Sequence, residues 1–205
     1  MSKKAMTILY EVHQNLYVNL TNKCPCACTF CLRQTRESME DSGPLWLEHT
    51  PSLQEVLDEF QKFDLDKYQE IVFCGFGEPT EALDVLLETA RFIKKTYGKP
   101  IRINTNGLGD LVNGRPIAPE LQGLIDTVSI SLNNPSPDRY HALVRSRFGE
   151  QSFDAMLRFA KACTAYVPHV VMTTVSTTIS PEEEAQCQKI CDDLGVTYRI
   201  RPWED

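Results

Sequence analysis

Residues Leu16-Tyr-Val-Asn-Leu-Thr-Asn-Lys-Cys24 run directly into Pro25-Cys-Ala-Cys28-Thr-Phe-Cys31, a strand-like stretch that ends in a loop dense with sulfur. Along the first part, Leu16, Val18 and Leu20 oppose Tyr17, Asn19 and Thr21, as the two-residue period of a strand requires. The same pattern recurs downstream and predicts strands at Leu16–Thr21, Glu70–Cys74, Ile101–Thr105, Thr127–Leu132, Val170–Val175 and Val196–Ile200. Amphipathic helices are expected between them. One opens at Thr50 with Pro51 at its first position and carries Leu53, Val56, Leu57 and Phe60; another spans Glu81–Tyr97 and stops at Gly98, with Pro100 beyond. The last begins with a capping box, Ser180 to Glu183 with Pro181 in its first turn, and ends at Gly195.

Strands alternating with helices argue for parallel strands joined by helical crossovers. Such units take roughly 30 residues each, so about six of them fill the chain, short of the eight that close a full barrel. The expected fold is therefore α/β, a partial (β/α)6 TIM-like barrel with parallel strands. Several strands carry a polar face. Ser129, Ser131 and Asn133 oppose Val128, Ile130 and Leu132; Arg102, Asn104 and Asn106 oppose Ile101 and Ile103; Arg199 and Arg201 oppose Val196, Tyr198 and Ile200. Helix-covered parallel strands are usually apolar on both faces, so these rows predict a lumen that holds a polar ligand, the alternative being an antiparallel sheet with one wet face.

With 205 residues, 42% of them hydrophobic, the chain suffices for one sizeable domain, expected over residues 1–205 with a leader segment at 1–15. The connection Leu32–His49 is long, and within 32–50 a lid loop is expected; Arg33, Arg36 and Trp46 face substrate in that reading and solvent or local packing in the plainer one. No apolar run approaches the ~18 residues of a membrane helix, and Met1-Ser-Lys-Lys-Ala5 does not open a secretion signal. A soluble cytoplasmic protein is expected. The net charge of −7 argues against a broad nucleic-acid footprint, leaving room for a local basic patch at Arg145 and Arg147 or at Arg199 and Arg201.

Eight cysteines in such a protein point to metal or redox work rather than disulfides. Cys187 and Cys191 share a helix face with Ile190 and Leu194, and Cys163 follows the Phe153, Leu157, Ala160 stripe, so these three read as core. Cys74 ends a strand and reads either as a functional thiol or as packing. The histidines, His13, His49, His141 and His169, show no ligand spacing. The clustered cysteines differ. Three thiolates from one short loop can hold three corners of a cubane iron-sulfur cluster and leave its fourth iron without a protein ligand. Either Cys24, Cys28 and Cys31 or Cys26, Cys28 and Cys31 supply the triplet. The competing reading is a non-enzymatic module, a zinc site or a fully ligated electron carrier with Cys26 as the added ligand; structural zinc usually takes two separated pairs of ligands, and a second CxxC pair is missing.

The C-x3-C-x2-C spacing of Cys24, Cys28 and Cys31, with Phe30 before the last cysteine, resembles the signature of the radical S-adenosylmethionine (SAM) superfamily. The resemblance selects that triplet as ligands of a 4Fe-4S cluster and implies SAM as second cofactor, chelated by the open iron through its amino and carboxylate groups. One electron from the cluster then splits SAM into methionine and a 5'-deoxyadenosyl radical, which abstracts hydrogen from a substrate that the sequence does not identify. The cofactors carry the difficult chemistry and the protein orients them. Gly75-Phe-Gly-Glu-Pro79 resembles the family's Gly-Gly-Glu-Pro motif, which binds the SAM amino group, with Phe76 in place of the first glycine; Gly77, Glu78 and Pro79 match. The family likeness further implies SAM contacts at Asn104 and Asn106, in the run Asn104-Thr-Asn-Gly107, and at Ser131 and Asn133, with Phe30 beside the adenine. For the asparagines the plainer reading is a turn or cap. Arg145 or Arg147 suits the SAM carboxylate. These positions end successive strands, where barrel folds gather catalytic residues.

Four stretches, residues 16–24, 73–80, 128–133 and 145–149, together look like the radical SAM proteins associated with TatD-type nucleases. That likeness implies a TatD-type nuclease partner and no defined substrate. A reducing partner such as flavodoxin or ferredoxin follows from the electron requirement. Within the enzyme class, a deazaguanine-type synthase and an activase of a glycyl-radical enzyme both fit the chain length.

Overall fold

The computed structural model describes residues 4–203, so the first three residues of the expected leader lie outside the described ones. The chain divides into two compact units, one running to Cys24 and including Cys31–Asn104 and Leu124–Asp126, the other comprising Pro25–Phe30, Thr105–Gly123 and the chain from Thr127 onward.

The first unit opens with a strand that the sequence reading missed. β1 (Leu9–Val12) pairs antiparallel with β2 (Asn15–Val18), setting Leu9 opposite Val18 and Tyr10 opposite Tyr17. A two-residue connection through His13, in the left-handed region at φ 53°, makes the hairpin without the usual Asn-Gly signal. β2, β3 (Ile71–Phe73) and β4 (Ile101–Thr105) then run parallel, as expected. Leu16, Ile71 and Ile101 form one register row, and Val18, Phe73 and Ile103 another; all six are essentially inaccessible to solvent. Tyr17, Val72 and Arg102 form the row of the opposite face.

Helices α1 (Leu53–Phe60) and α2 (Leu83–Thr96) pack against each other and bury Val56, Phe60, Leu86, Ala90 and Ile93. α1 starts later than expected. Ser52, not Thr50, is its cap: Ser52 Oγ accepts from Glu55 N at 3.3 Å and the Glu55 carboxylate accepts from Ser52 N at 2.8 Å, which leaves Pro51 outside the helix. The Ser52 backbone N–H holds the Glu55 carboxyl down to about 2. α2 is likewise shortened, because Pro79–Ala82 winds as a 3-10 turn capped by Glu78. It ends near Gly98, at φ 62°, as expected.

The second unit contains α3 (Gly109–Asn113), β5 (Thr127–Ser131), α4 (Pro137–Val144), α5 (Gln151–Cys163), β6 (His169–Val175), α6 (Pro181–Leu194) and β7 (Thr197–Arg201). β5, β6 and β7 are parallel; Ile130, Met172 and Tyr198 form one row and Ser131, Thr173 and Arg199 one on the polar face. α6 has the expected reciprocal cap between Ser180 and Glu183 and closes on Gly195 at φ 74°. Cys163, Cys187 and Cys191 are fully buried, and burial pushes each thiol up to about 12, so they are packing residues. Among the described residues no helix is long and apolar enough to cross a membrane.

Candidate functional site

The cysteine loop is divided between the units: Cys24 and Cys31 belong to the first, Cys26 and Cys28 to the second. In the second unit the loop is tied to the end of α4. That helix stops at Arg145, in the left-handed region at φ 49°, which leaves its last carbonyls without helical partners. Ala27 N donates to Val144 O at 3.1 Å and Thr29 N to Leu143 O at 2.9 Å, while Arg147 N donates back to Pro25 O at 2.8 Å. The loop thus consumes the orphan acceptors of a helix end. No cysteine is in a disulfide; Cys26 is buried, at 4% exposure, whereas Cys24, Cys28 and Cys31 keep accessible surface. Among the described residues no three His, Cys, Asp or Glu side chains converge on a position for one metal ion. A cubane makes a different demand, since each thiolate takes its own iron.

In the first unit the turn after β3 locks onto the approach to that loop. Cys74 N donates to Val18 O at 3.1 Å, and Glu78 N donates to Lys23 O at 2.8 Å, one residue before Cys24. A Cβ on Gly77 would stand 2.1 Å from Thr21 O and 2.7 Å from Lys23 O, and one on Gly75 would stand 2.1 Å from Asn19 Oδ1. Both glycines are required by close approach. Asn19 Oδ1, pressed on Gly75, is fully buried and without a hydrogen-bond partner. The Glu78 carboxylate is buried and accepts from Thr80 N at 3.2 Å and Thr80 Oγ1 at 2.9 Å, so it shapes the turn that ends in Pro79.

Phe76, the departure from the glycine-rich motif, has a structural partner. It is buried with Tyr10 and Leu45, and the Trp46 ring meets it edge-on with centroids 5.4 Å apart. The Arg33 guanidinium lies 5.9 Å over the Trp46 ring and Nη1 reaches Phe76 O at 3.5 Å. Leu45–Leu47 is tied down: Asn19 Nδ2 donates to Leu45 O at 2.8 Å, and Asn22 both donates to Leu47 O at 2.8 Å and accepts from Leu47 N at 3.0 Å. The stretch of the long connection that carries Trp46 therefore roofs the turn, with Phe76 filling the space beneath.

Asn104 ends the polar face of β4 in the first unit. Its Oδ1 accepts from Arg102 Nη1 at 3.0 Å, and Arg102 Nε donates to Glu70 Oε2 at 2.7 Å. The other expected contacts lie in the second unit. Asn106 Oδ1 accepts from Leu108 N at 2.9 Å, the turn role of the plainer reading, and Thr105 Oγ1 accepts from Gly107 N at 3.1 Å. Ser131 is half-buried; Asn133 is buried in the left-handed region at φ 64° and donates its N–H to Thr173 O at 3.3 Å. Phe30 lines an open surface depression of about 380 Å³ together with Thr29, Leu143, Thr177, Thr178 and Trp203. Thr177, Thr178 and Trp203 escaped the sequence reading. Thr177 and Thr178 follow β6, so extending the strand-end rule by one strand would have found them. Thr177 holds φ 68°, a costly conformation for a β-branched residue and one that concentrates at functional turns.

The sequence matches the family described as the radical SAM superfamily over residues 18–194, a span that includes the cysteine loop, the turn after β3 and the strand ends beyond. The chain belongs to that superfamily. Solved structures of similar fold are found as well. SuiB of Streptococcus suis bound to its precursor peptide SuiA shares 16% identity over 93% of this chain and 39% of its own, with a TM-score of 0.68, and SuiB has also been seen bound to SAM. A radical SAM methyltransferase from Sphaerobacter thermophilus shares 15% identity over 96% of this chain and 69% of its own, with a TM-score of 0.61. The FeFe-hydrogenase maturase HydG from Carboxydothermus hydrogenoformans shares 17% over 93% and 44%, with a TM-score of 0.61. No curated protein matches the chain. The α/β fold is that of these radical SAM proteins, a partial TIM-like barrel, and this chain spans 39% of SuiB and 44% of HydG. Members of that superfamily bind a 4Fe-4S cluster and SAM, and the match leaves this chain's reaction unspecified. The donor set fits such a group: three soft sulfur side chains with accessible surface on one loop, and, in the first unit, a turn whose Gly77 leaves no room for a side chain against Thr21 and Lys23, just before Cys24.

Proposed function

We propose that Cys24, Cys28 and Cys31 hold a 4Fe-4S cluster, and that the chain cleaves SAM reductively to act on a substrate still to be identified. When bound, the cluster supplies the single electron that cleaves SAM to methionine and a 5'-deoxyadenosyl radical, the hydrogen-abstracting species. One observation carries this reading: Gly77 and Glu78 dock on the Thr21–Lys23 backbone immediately before Cys24, so the glycine turn and the start of the cysteine loop are one joint. A turn that merely reversed the chain would not need two glycines pressed against another segment. The segment Gly75, Phe76, Gly77, Glu78 and Pro79 presents main chain to the methionine end of SAM; Asn104, Asn106, Ser131, Asn133 and Arg145 are its remaining polar contacts. Phe30 flanks the adenine, and the open depression it lines sets the rings of Phe30 and Trp203 beside threonines, a surface suited to a flat base with a polar rim.

At the finer level, the stretches 16–24, 73–80, 128–133 and 145–149 support kinship with radical SAM proteins associated with TatD-type nucleases, and a nuclease of that type is the partner we expect, with flavodoxin or ferredoxin as reductant in the cytoplasm. Anaerobic reconstitution with iron and sulfide, followed by dithionite and SAM, tests the proposal. Wild-type protein is expected to release 5'-deoxyadenosine and a Cys28→Ala variant none. Equal yields from both would remove the cysteine triplet from the chemistry.

A further inference from the structure

The polar face of β4 contains a device that the family motifs do not include. Ile101 and Ile103 are buried in the core, so the two-residue period turns Arg102 and Asn104 to the opposite face, with Arg102 in the register row of Tyr17 and Val72. The Arg102 side chain is only 14% exposed. Its Nε donates to Glu70 Oε2 at 2.7 Å. Nη1 then reaches Asn104 Oδ1 at 3.0 Å. A guanidinium has donors and no acceptor, so only the oxygen of the Asn104 amide can face it. The amide cannot flip without breaking that bond and setting N–H against N–H. Asn104 itself is only half-buried, and its Nδ2 is the group left to offer a ligand.

We propose that Arg102, held by Glu70, is a positioning residue that locks the Asn104 amide, so that the ligand atom received by Asn104 is a hydrogen-bond acceptor. The inference rests on Asn104 being a SAM contact and adds its chemistry: Asn104 donates to an oxygen, that of the SAM carboxylate or ribose, and not to the sulfonium or amino end. The pair Glu70–Arg102 is neutral as a unit and does not itself attract the ligand's charge.

The test is equilibrium binding of SAM to anaerobically reconstituted protein, read as a dissociation constant rather than as turnover. Removing a hydrogen bond to a charged or strongly polar acceptor weakens binding about 10- to 100-fold, which is the effect expected of Asn104→Ala. Asn104→Asp keeps the bond to Arg102 and so preserves the fold, but it points a carboxylate oxygen at the ligand; it should bind at least as poorly as Asn104→Ala. Arg102→Leu should weaken SAM several-fold in the wild-type background and have no further effect in the Asn104→Ala background. Urea unfolding of each variant identifies any loss that is merely structural. Asn104→Asp binding as tightly as wild type would overturn the inference, because the ligand atom would then be a donor. Independent, additive losses from Arg102→Leu and Asn104→Ala would overturn the positioning role. Wild-type protein that binds SAM while every Asn104 variant binds equally well would overturn the inference and leave the proposed function standing, whereas wild-type protein that binds no SAM would overturn both.

Discussion

Replacing Gly77 with alanine strikes the joint between the glycine turn and the cysteine loop. The new methyl would stand 2.1 Å from Thr21 O and 2.7 Å from Lys23 O, both main-chain atoms that no rotamer change moves aside. Going from 2.1 Å to 3.0 Å, below which such contacts essentially never occur, demands a separation of about 0.9 Å. A shift of that size would carry the 2.8 Å bond from Glu78 N to Lys23 O out to about 3.7 Å, past hydrogen-bond range. Overpacking costs about 1–3 kcal/mol and the lost hydrogen bond about 0.5–1.5 kcal/mol, so roughly 2–4 kcal/mol of stability should go. Gly98→Ala is the control. Gly98 has φ 62° and nothing within 4 Å of the point where a methyl would stand, so its penalty is left-handed strain of about 1–2 kcal/mol, far in the chain from the cysteines. Urea unfolding of the cluster-free protein gives the stabilities, and iron per chain after anaerobic reconstitution gives the functional effect. Gly77→Ala should lose both stability and iron, and Gly98→Ala only stability. A Gly77→Ala protein with the wild-type urea midpoint and full iron would refute the claim that this contact sets the cysteine loop.

Other expectations are independent of that joint. Phe76→Gly, which restores the family's glycine, should destabilise the protein by about 3–5 kcal/mol, since it empties the space beneath Trp46 and Leu45; urea unfolding checks this. Cys26→Ala should retain full iron, because that thiol is buried, whereas Cys24→Ala, Cys28→Ala and Cys31→Ala should each lose it. Cys163, Cys187 and Cys191, pushed up to about 12 by burial, should resist iodoacetamide in native protein at pH 8 and react only after unfolding, as peptide mass spectrometry will show. Their raised values mean the folded state favours the neutral thiol. That contribution is complete below the ordinary thiol range near 8.5 and disappears as pH rises through about 12.

What could be read from the chain was what short-range periodicity encodes. β4 emerged with its observed bounds because Ile101 and Ile103 alternate with polar residues, and α6 because Ser180, Glu183 and Gly195 mark both ends chemically. β1 was missed because its partner is supplied by a hairpin turn at His13 that lacks turn-typical residues. The start of α1 was displaced because Pro51 looks like a first helical residue, while the Ser52–Glu55 box is what ends the coil. The cysteines and the glycine turn were visible as motifs. What joins them to the fold was not: the α4 carbonyls that strap Pro25–Phe30, Trp46 over Phe76, and the Arg102 bond to Asn104 are contacts between distant or oppositely read residues that no local pattern specifies.

The central claim is a cubane with three protein thiolates and one iron left for SAM. Mössbauer spectra of protein reconstituted with ⁵⁷Fe, recorded before and after SAM is added, address it most directly. One iron in four should be distinct and should change its signal when SAM binds, the other three staying as they were. Four irons that ignore SAM, or a preparation that takes up zinc in place of iron, would contradict the account.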